Sequence, residues 1–119
     1  MARTAVKAAL EQRSEWVVVA EASNGRQALE TFRRHRPQLT IMDFAMPEMN
    51  GLEASRRLTE RNPDVRILMI TVDPTRQLEV EARKAGIKGV CPKDEIRCIE
   101  NAIDAVIRGG TYFPEEAAA

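Results

Sequence analysis

One histidine, two cysteines and no excess of either charge limit what this 119-residue sequence can do. Cys91 and Cys98 have no histidine or further cysteine beside them at zinc-ligand spacing, so a metal site built on them is not expected. One lies in an apolar strand-like run and the other on a helical pattern, which fits reduced thiols acting as small core residues. The 18 Lys and Arg are balanced by 18 Asp and Glu, with no long run of one sign, so nucleic-acid binding by this chain alone is disfavoured. No segment approaches the roughly 20 apolar residues that span a bilayer, and MARTAVKAALEQ has no uninterrupted apolar core of a signal peptide. A cytoplasmic protein without membrane attachment is expected. The lone His35 sits in Arg33-Arg34-His35-Arg36 before Pro37, where a helix is about to end and cations favour its dipole. It reads as a capping or surface residue rather than a base.

What is present is an alternation. The length suits one small domain with one core and one principal site. Apolar, β-branched runs at Trp16 to Ala20, Leu39 to Met42, Ile67 to Ile70 and, more weakly, Gly89 to Cys91 predict strands. Between and after them, Arg26 to Arg34, Leu52 to Arg61, Gln77 to Lys84 and Glu95 to Arg108 have helical composition. Continuous apolar strands separated by helices predict an α/β domain, a parallel sheet covered on both faces. Asn24-Gly25, Asn62-Pro63 and Ala85-Gly86 punctuate these segments, and Arg108-Gly109-Gly110 supplies a stop after the last helix. In that helix Ile96, Ile99, Ile103, Val106 and Ile107 recur every three or four positions as one apolar stripe. The sequence opens on a helical pattern, Ala5, Val6, Ala9 and Leu10, with no strand before it.

The chemistry-bearing segment is LTIMDFAMPEMNGL, Leu39 to Leu52. An apolar strand ends in the carboxylate Asp43, a loop with Pro47 follows, and Asn50-Gly51 leads into a helix. Ligands of open α/β sheets bind outside the carboxyl ends of the strands, so Asp43 stands at the functional edge, although an Asp there also serves as a turn former or cap. Thr71 and Lys93 follow two further strands and point to the same edge. A carboxylate, a hydroxyl and an ammonium on adjacent strand ends can together hold a phosphoryl group. Taken alone, Thr71 reads rather as a turn former and Lys93 as a solvated loop residue.

The ordered set, D-x-x-M-P-x-M-N-G at Asp43 to Gly51, then Thr71, then Gly86-Ile87-Lys88-Gly89-Val90-Cys91-Pro92-Lys93-Asp94, resembles the response regulator receiver domain of the CheY-like superfamily. Arg108-Gly109-Gly110-Thr111-Tyr112 resembles the end of the last receiver helix in the subgroup called NarL/FixJ or LuxR type. The resemblance runs from Met1 to Phe113, giving a receiver domain at residues 1–113, with 114–119 as a frayed tail or the start of a linker. It implies a flavodoxin-like parallel sheet and a non-enzymatic signalling role. It further implies that Asp43 accepts phosphate from a histidine kinase, that Thr71 and Lys93 contact the phosphoryl group, and that Asp43 and the Ala45 carbonyl are magnesium ligands.

Three departures qualify that implication. The family's first strand ends in an acidic pair that helps bind Mg2+. Aligning Lys7 to Leu10 with the family's first helix leaves no room for strand or pair, so the chain reads as an N-terminally truncated receiver with an incomplete metal site. Glu21 and Asp73 are the nearest carboxylates in sequence, and neither matches the family position. The aromatic switch residue usual three positions before the lysine is replaced by Val90, and Pro92 stands where an apolar residue is usual. No output module follows within the 119 residues. The expectation is a degenerate receiver that binds Mg2+ weakly or not at all, takes up phosphate poorly at Asp43, and acts through protein contacts. The alternative is a competent switch whose first strand and acidic pair are supplied in trans or lie outside this sequence. A flavodoxin-like small-molecule binder has no glycine-rich phosphate loop to support it. A missing middle strand would also leave orphaned edges, so a twofold homodimer is expected.

Overall fold

The computed structural model describes residues 2–13 and 15–113. In chain order they form α1 (Ala2–Glu11), α2 (Gly25–His35), β1 (Thr40–Asp43), α3 (Gly51–Arg61), β2 (Ile67–Thr71), α4 (Arg76–Lys84), β3 (Gly89–Pro92) and α5 (Ile96–Ile107). Three strands pair in parallel in the order β1-β2-β3, with Thr40 opposite Ile67 and Leu68 opposite Gly89. This is the α/β, flavodoxin-like arrangement with helices on both faces, and no strand precedes α1 among the described residues.

The central strand explains the layering. All five residues of β2 are buried, as a parallel strand covered on both faces requires. Because side chains alternate along a strand, Ile67, Met69 and Val90 face one layer, with Phe32 of α2, Leu58 of α3 and Ala82 of α4. Leu68, Ile70 and Cys91 face the other, against Leu10 of α1 and Ile99, Ala102 and Ile103 of α5. The α5 stripe expected from spacing is the buried one, with Ile99, Ala102, Ile103 and Val106 inside. Each large apolar side chain so buried contributes about 1.5–3 kcal/mol. Helix starts are capped by side chains: Asn24, Asn50 and Thr75 accept from the backbone N–H of Gln27, Glu53 and Leu78. Such caps are worth about 1 kcal/mol each. His35 is the exposed last residue of α2, and Arg36, in the left-handed region at φ 44°, closes that helix.

One expected strand does not form. Trp16 to Ala20 lies outside the sheet. Its side chains still alternate, with Trp16 and Val18 half-buried against the α1/α5 layer while Val17 and Val19 are 80% and 53% exposed. A ladder needs a partner strand about 4.8 Å away, and among the described residues this segment pairs with none. Arg13 holds the segment down instead. Its guanidinium stacks 4.0 Å from the Trp16 ring centroid and reaches Glu100 and Asp104 of α5. No described helix is long and apolar enough to cross a membrane. The tail expected at residues 114–119 lies outside the described residues.

Candidate functional site: the carboxyl edge of the sheet

The three strands end almost level. Asp43 is opposite Ile70, and Thr71 is opposite Pro92, so Thr71 and Lys93 each stand one step further along the sheet than the residue before them. Two backbone bonds carry the ladder past the strand ends: Phe44 N–H donates to the Ile70 carbonyl at 2.9 Å, and Lys93 N–H to the Thr71 carbonyl at 2.8 Å. The edge is therefore held by main chain, and the side chains on it are placed rather than floating.

Lys93 reaches across β2 to the carboxylate of Asp43, Nζ to Oδ2 2.7 Å, with the two side chains only 20% and 23% exposed. The other oxygen, Oδ1, accepts from the Ala45 backbone N–H at 3.1 Å. Both carboxylate oxygens thus have donors, one of them charged. Thr71 is buried at 8% exposure and shares the face of Ile67 and Met69. Val90 is fully buried in the layer under α3 and α4, on that same face of the sheet. Removing the charge partner of a mostly buried carboxylate leaves it uncompensated. Lys93→Ala is expected to lower stability by about 1–3 kcal/mol in urea denaturation at neutral pH.

The carboxylates nearest in sequence do not join Asp43. Glu21 pairs with Lys7 at 2.8 Å, and Asp73 is exposed in the loop after β2. Among the described residues no group of three or more His, Cys, Asp or Glu could hold a metal ion. Among the described residues the edge brings Asp43 and Lys93 into contact, with Thr71 ending the strand between them.

Sequence reasoning did not single out Gly51 for this site. Its N–H donates to the Phe44 carbonyl at 2.8 Å, and a Cβ there would come 2.3 Å from the Asp43 carbonyl oxygen. The start of α3 is pressed directly under the Asp43 peptide, which fixes how the loop leaves the strand. The Asn50-Gly51 pair was the available signal, and it marks the turn without revealing what the glycine touches.

The family model described as response regulator receiver domain matches residues 1–104. The transcriptional regulatory protein DegU of Brevibacillus brevis is 32% identical over 93% of this chain and 48% of its own length. The chain spans about half the length of the curated relatives it matches. Among solved structures, a LuxR-family two-component response regulator from Aurantimonas sp. SI85-9A1 superposes with a TM-score of 0.88 at 28% identity, covering 92% of this chain and 79% of that one. The signal receiver domain of the response regulator NarL from Mycobacterium tuberculosis gives 0.84 at 28% identity, with 91% and 88% covered. A sheet whose strand ends carry an acid, a hydroxyl and a lysine, and a match over most of the length, lead to one conclusion: the chain belongs to the response regulator receiver domain family of two-component signalling.

Proposed function

We propose that this 119-residue chain is a receiver whose Asp43 is balanced by Lys93 rather than by a metal, and which signals through protein contacts with slow or absent phosphorylation. The observation that carries the reading is the lone carboxylate with both oxygens engaged, by Lys93 Nζ and Ala45 N–H. Receivers of this family bind Mg2+. That ion needs octahedral oxygen ligation and is usually held by carboxylates together with phosphate and water. One carboxylate already paired to an ammonium does not fit that requirement, and Asp43 and Ala45 alone make an incomplete site. Thr71 and Lys93 are the groups that would contact a phosphoryl group on Asp43. Val90, being aliphatic and fully buried, responds at most by packing and not by swinging a ring outward.

The partner implied by the family is a histidine kinase. The convergence of Asp43 and Lys93 also favours a second reading, a competent phosphoacceptor completed by an acidic pair from outside this chain. Intact-mass spectrometry after incubation with acetyl phosphate and magnesium separates the two. The first reading expects at most a trace of phosphoadduct, and a rapid adduct lost in Asp43→Asn supports the second.

We further propose that the chain pairs with a second copy as a twofold homodimer. The outer edge of β1 has no strand beside it among the described residues, and Val17 and Val19 expose apolar side chains in the segment before α2. Unpaired edges of this kind template pairing with another chain, and closed twofold symmetry is the commonest result. Light scattering at micromolar concentration should give the dimer mass. A well-folded, strictly monomeric species contradicts it.

A further inference from the structure

We infer that Cys91 and Cys98 form a reversible intramolecular disulfide that ties β3 to the first turn of α5, a modification site enclosing Lys93. The two sulfurs lie 2.8 Å apart, across the boundary between strand and helix. A disulfide bond is about 2.05 Å long, so the remaining approach is roughly 0.8 Å, within reach of small side-chain rotations. Both thiols are free. Cys91 is fully buried and Cys98 half-buried, so an oxidant meets Cys98 first and Cys91 serves as the resolving thiol.

With hydrogen peroxide as oxidant the steps balance. The Cys98 thiolate attacks the O–O bond; an S–O bond forms, O–O breaks, and hydroxide leaves a sulfenic acid behind. Cys91 then attacks that sulfur, forming S–S and breaking S–O, and the hydroxyl departs as water with the Cys91 proton. Two electrons pass from sulfur to peroxide, and a dithiol returns them. Position favours Cys98 as the first thiolate, because it is the third residue of α5 and so sits at the positive end of the helix dipole. Burial opposes it. Desolvation raises the pKa of both thiols, and the charge of Glu95 adds to the rise at each. Bridge formation is therefore slow at neutral pH. Glu95→Gln, which removes that charge, is expected to accelerate it.

The bridge closes a ring around Lys93, the partner of Asp43. Oxidation thus restrains the segment that carries the cation of the candidate site.

Trypsin tests this directly, since Lys93 and Arg97 separate the two cysteines into peptides 89–93 and 98–108. The reduced protein, treated with peroxide, should lose about 2 Da, protect both thiols from alkylation, and yield these two peptides as one linked species. Its Tm should rise by about 5–10 °C and fall back after dithiothreitol. Cys98→Ser should give no bridge, and Cys91→Ser should stop at a sulfenic acid trapped by dimedone. Should Cys91→Ser fail to fold, the linked tryptic species of the unmodified chain decides. Two thiols still alkylated after excess peroxide, or a link between chains on a non-reducing gel, would overturn the inference.

Discussion

Gly51→Ala is expected to destabilise the domain by about 2–4 kcal/mol, although the substitution improves helix propensity. At an unconstrained helical position, alanine gains up to about 1 kcal/mol over glycine. Gly51 is constrained. A Cβ there lies 2.3 Å from the Asp43 carbonyl oxygen and 3.0 Å from both the Asp43 carbonyl carbon and Met42 Cγ. Two of those three atoms are backbone, and that backbone is bonded into the β1–β2 ladder through Phe44 N–H. Neither the strand nor α3 yields cheaply, so steric repulsion outweighs propensity. Thermal unfolding should move down by about 10 °C or more, given roughly 4–8 °C per kcal/mol for a domain near this size. Gly109→Ala is the contrast. It has positive φ at 94° but nothing within 4 Å of where an added methyl would lie, so only the backbone preference is lost, about 1 kcal/mol. Equal effects at the two glycines would contradict the assignment of Gly51 as the contact that seats Asp43.

Most of the architecture was legible because its signals are local. Continuous apolar runs marked β1, β2 and β3 to within a residue or two, and the Ile99, Ile103, Val106 spacing marked the buried face of α5. Asn24 and Asn50 announced helix starts because a short polar side chain can satisfy an orphan N–H. Trp16 to Ala20 misled for a physical reason. Its alternation is a property of the segment, whereas membership of a sheet depends on a neighbour the segment does not itself encode.

The site divided the same way. Asp43, Thr71 and Lys93 were legible as strand-end residues, since every parallel strand of one sheet delivers its carboxyl end to the same edge. The approach of Gly51 to Asp43 and the contact between Cys91 and Cys98 were not. Each joins two elements through a distance that depends on how helix and strand pack, and no periodicity reports it.

The second large effect concerns phosphoryl transfer. A bound metal ion contributes several kcal/mol of charge stabilisation at a transferring phosphoryl group. If about 3–4 kcal/mol of that is missing, the rate falls by roughly 10²–10³ at 1.36 kcal/mol per decade. On the proposed reading Lys93 does not replace the metal fully, because its single charge is already paired with the ground-state Asp43 carboxylate at 2.7 Å. Uptake at Asp43 should therefore be slow, and the slow rate should owe nothing to magnesium. The most direct measurement follows the Asp43 phosphoadduct by intact mass over time, with acetyl phosphate and either magnesium or a chelator present. A trace of adduct that accumulates at the same rate in both conditions is the result expected of a lysine-balanced, metal-free site; rapid accumulation with magnesium that the chelator abolishes would contradict it.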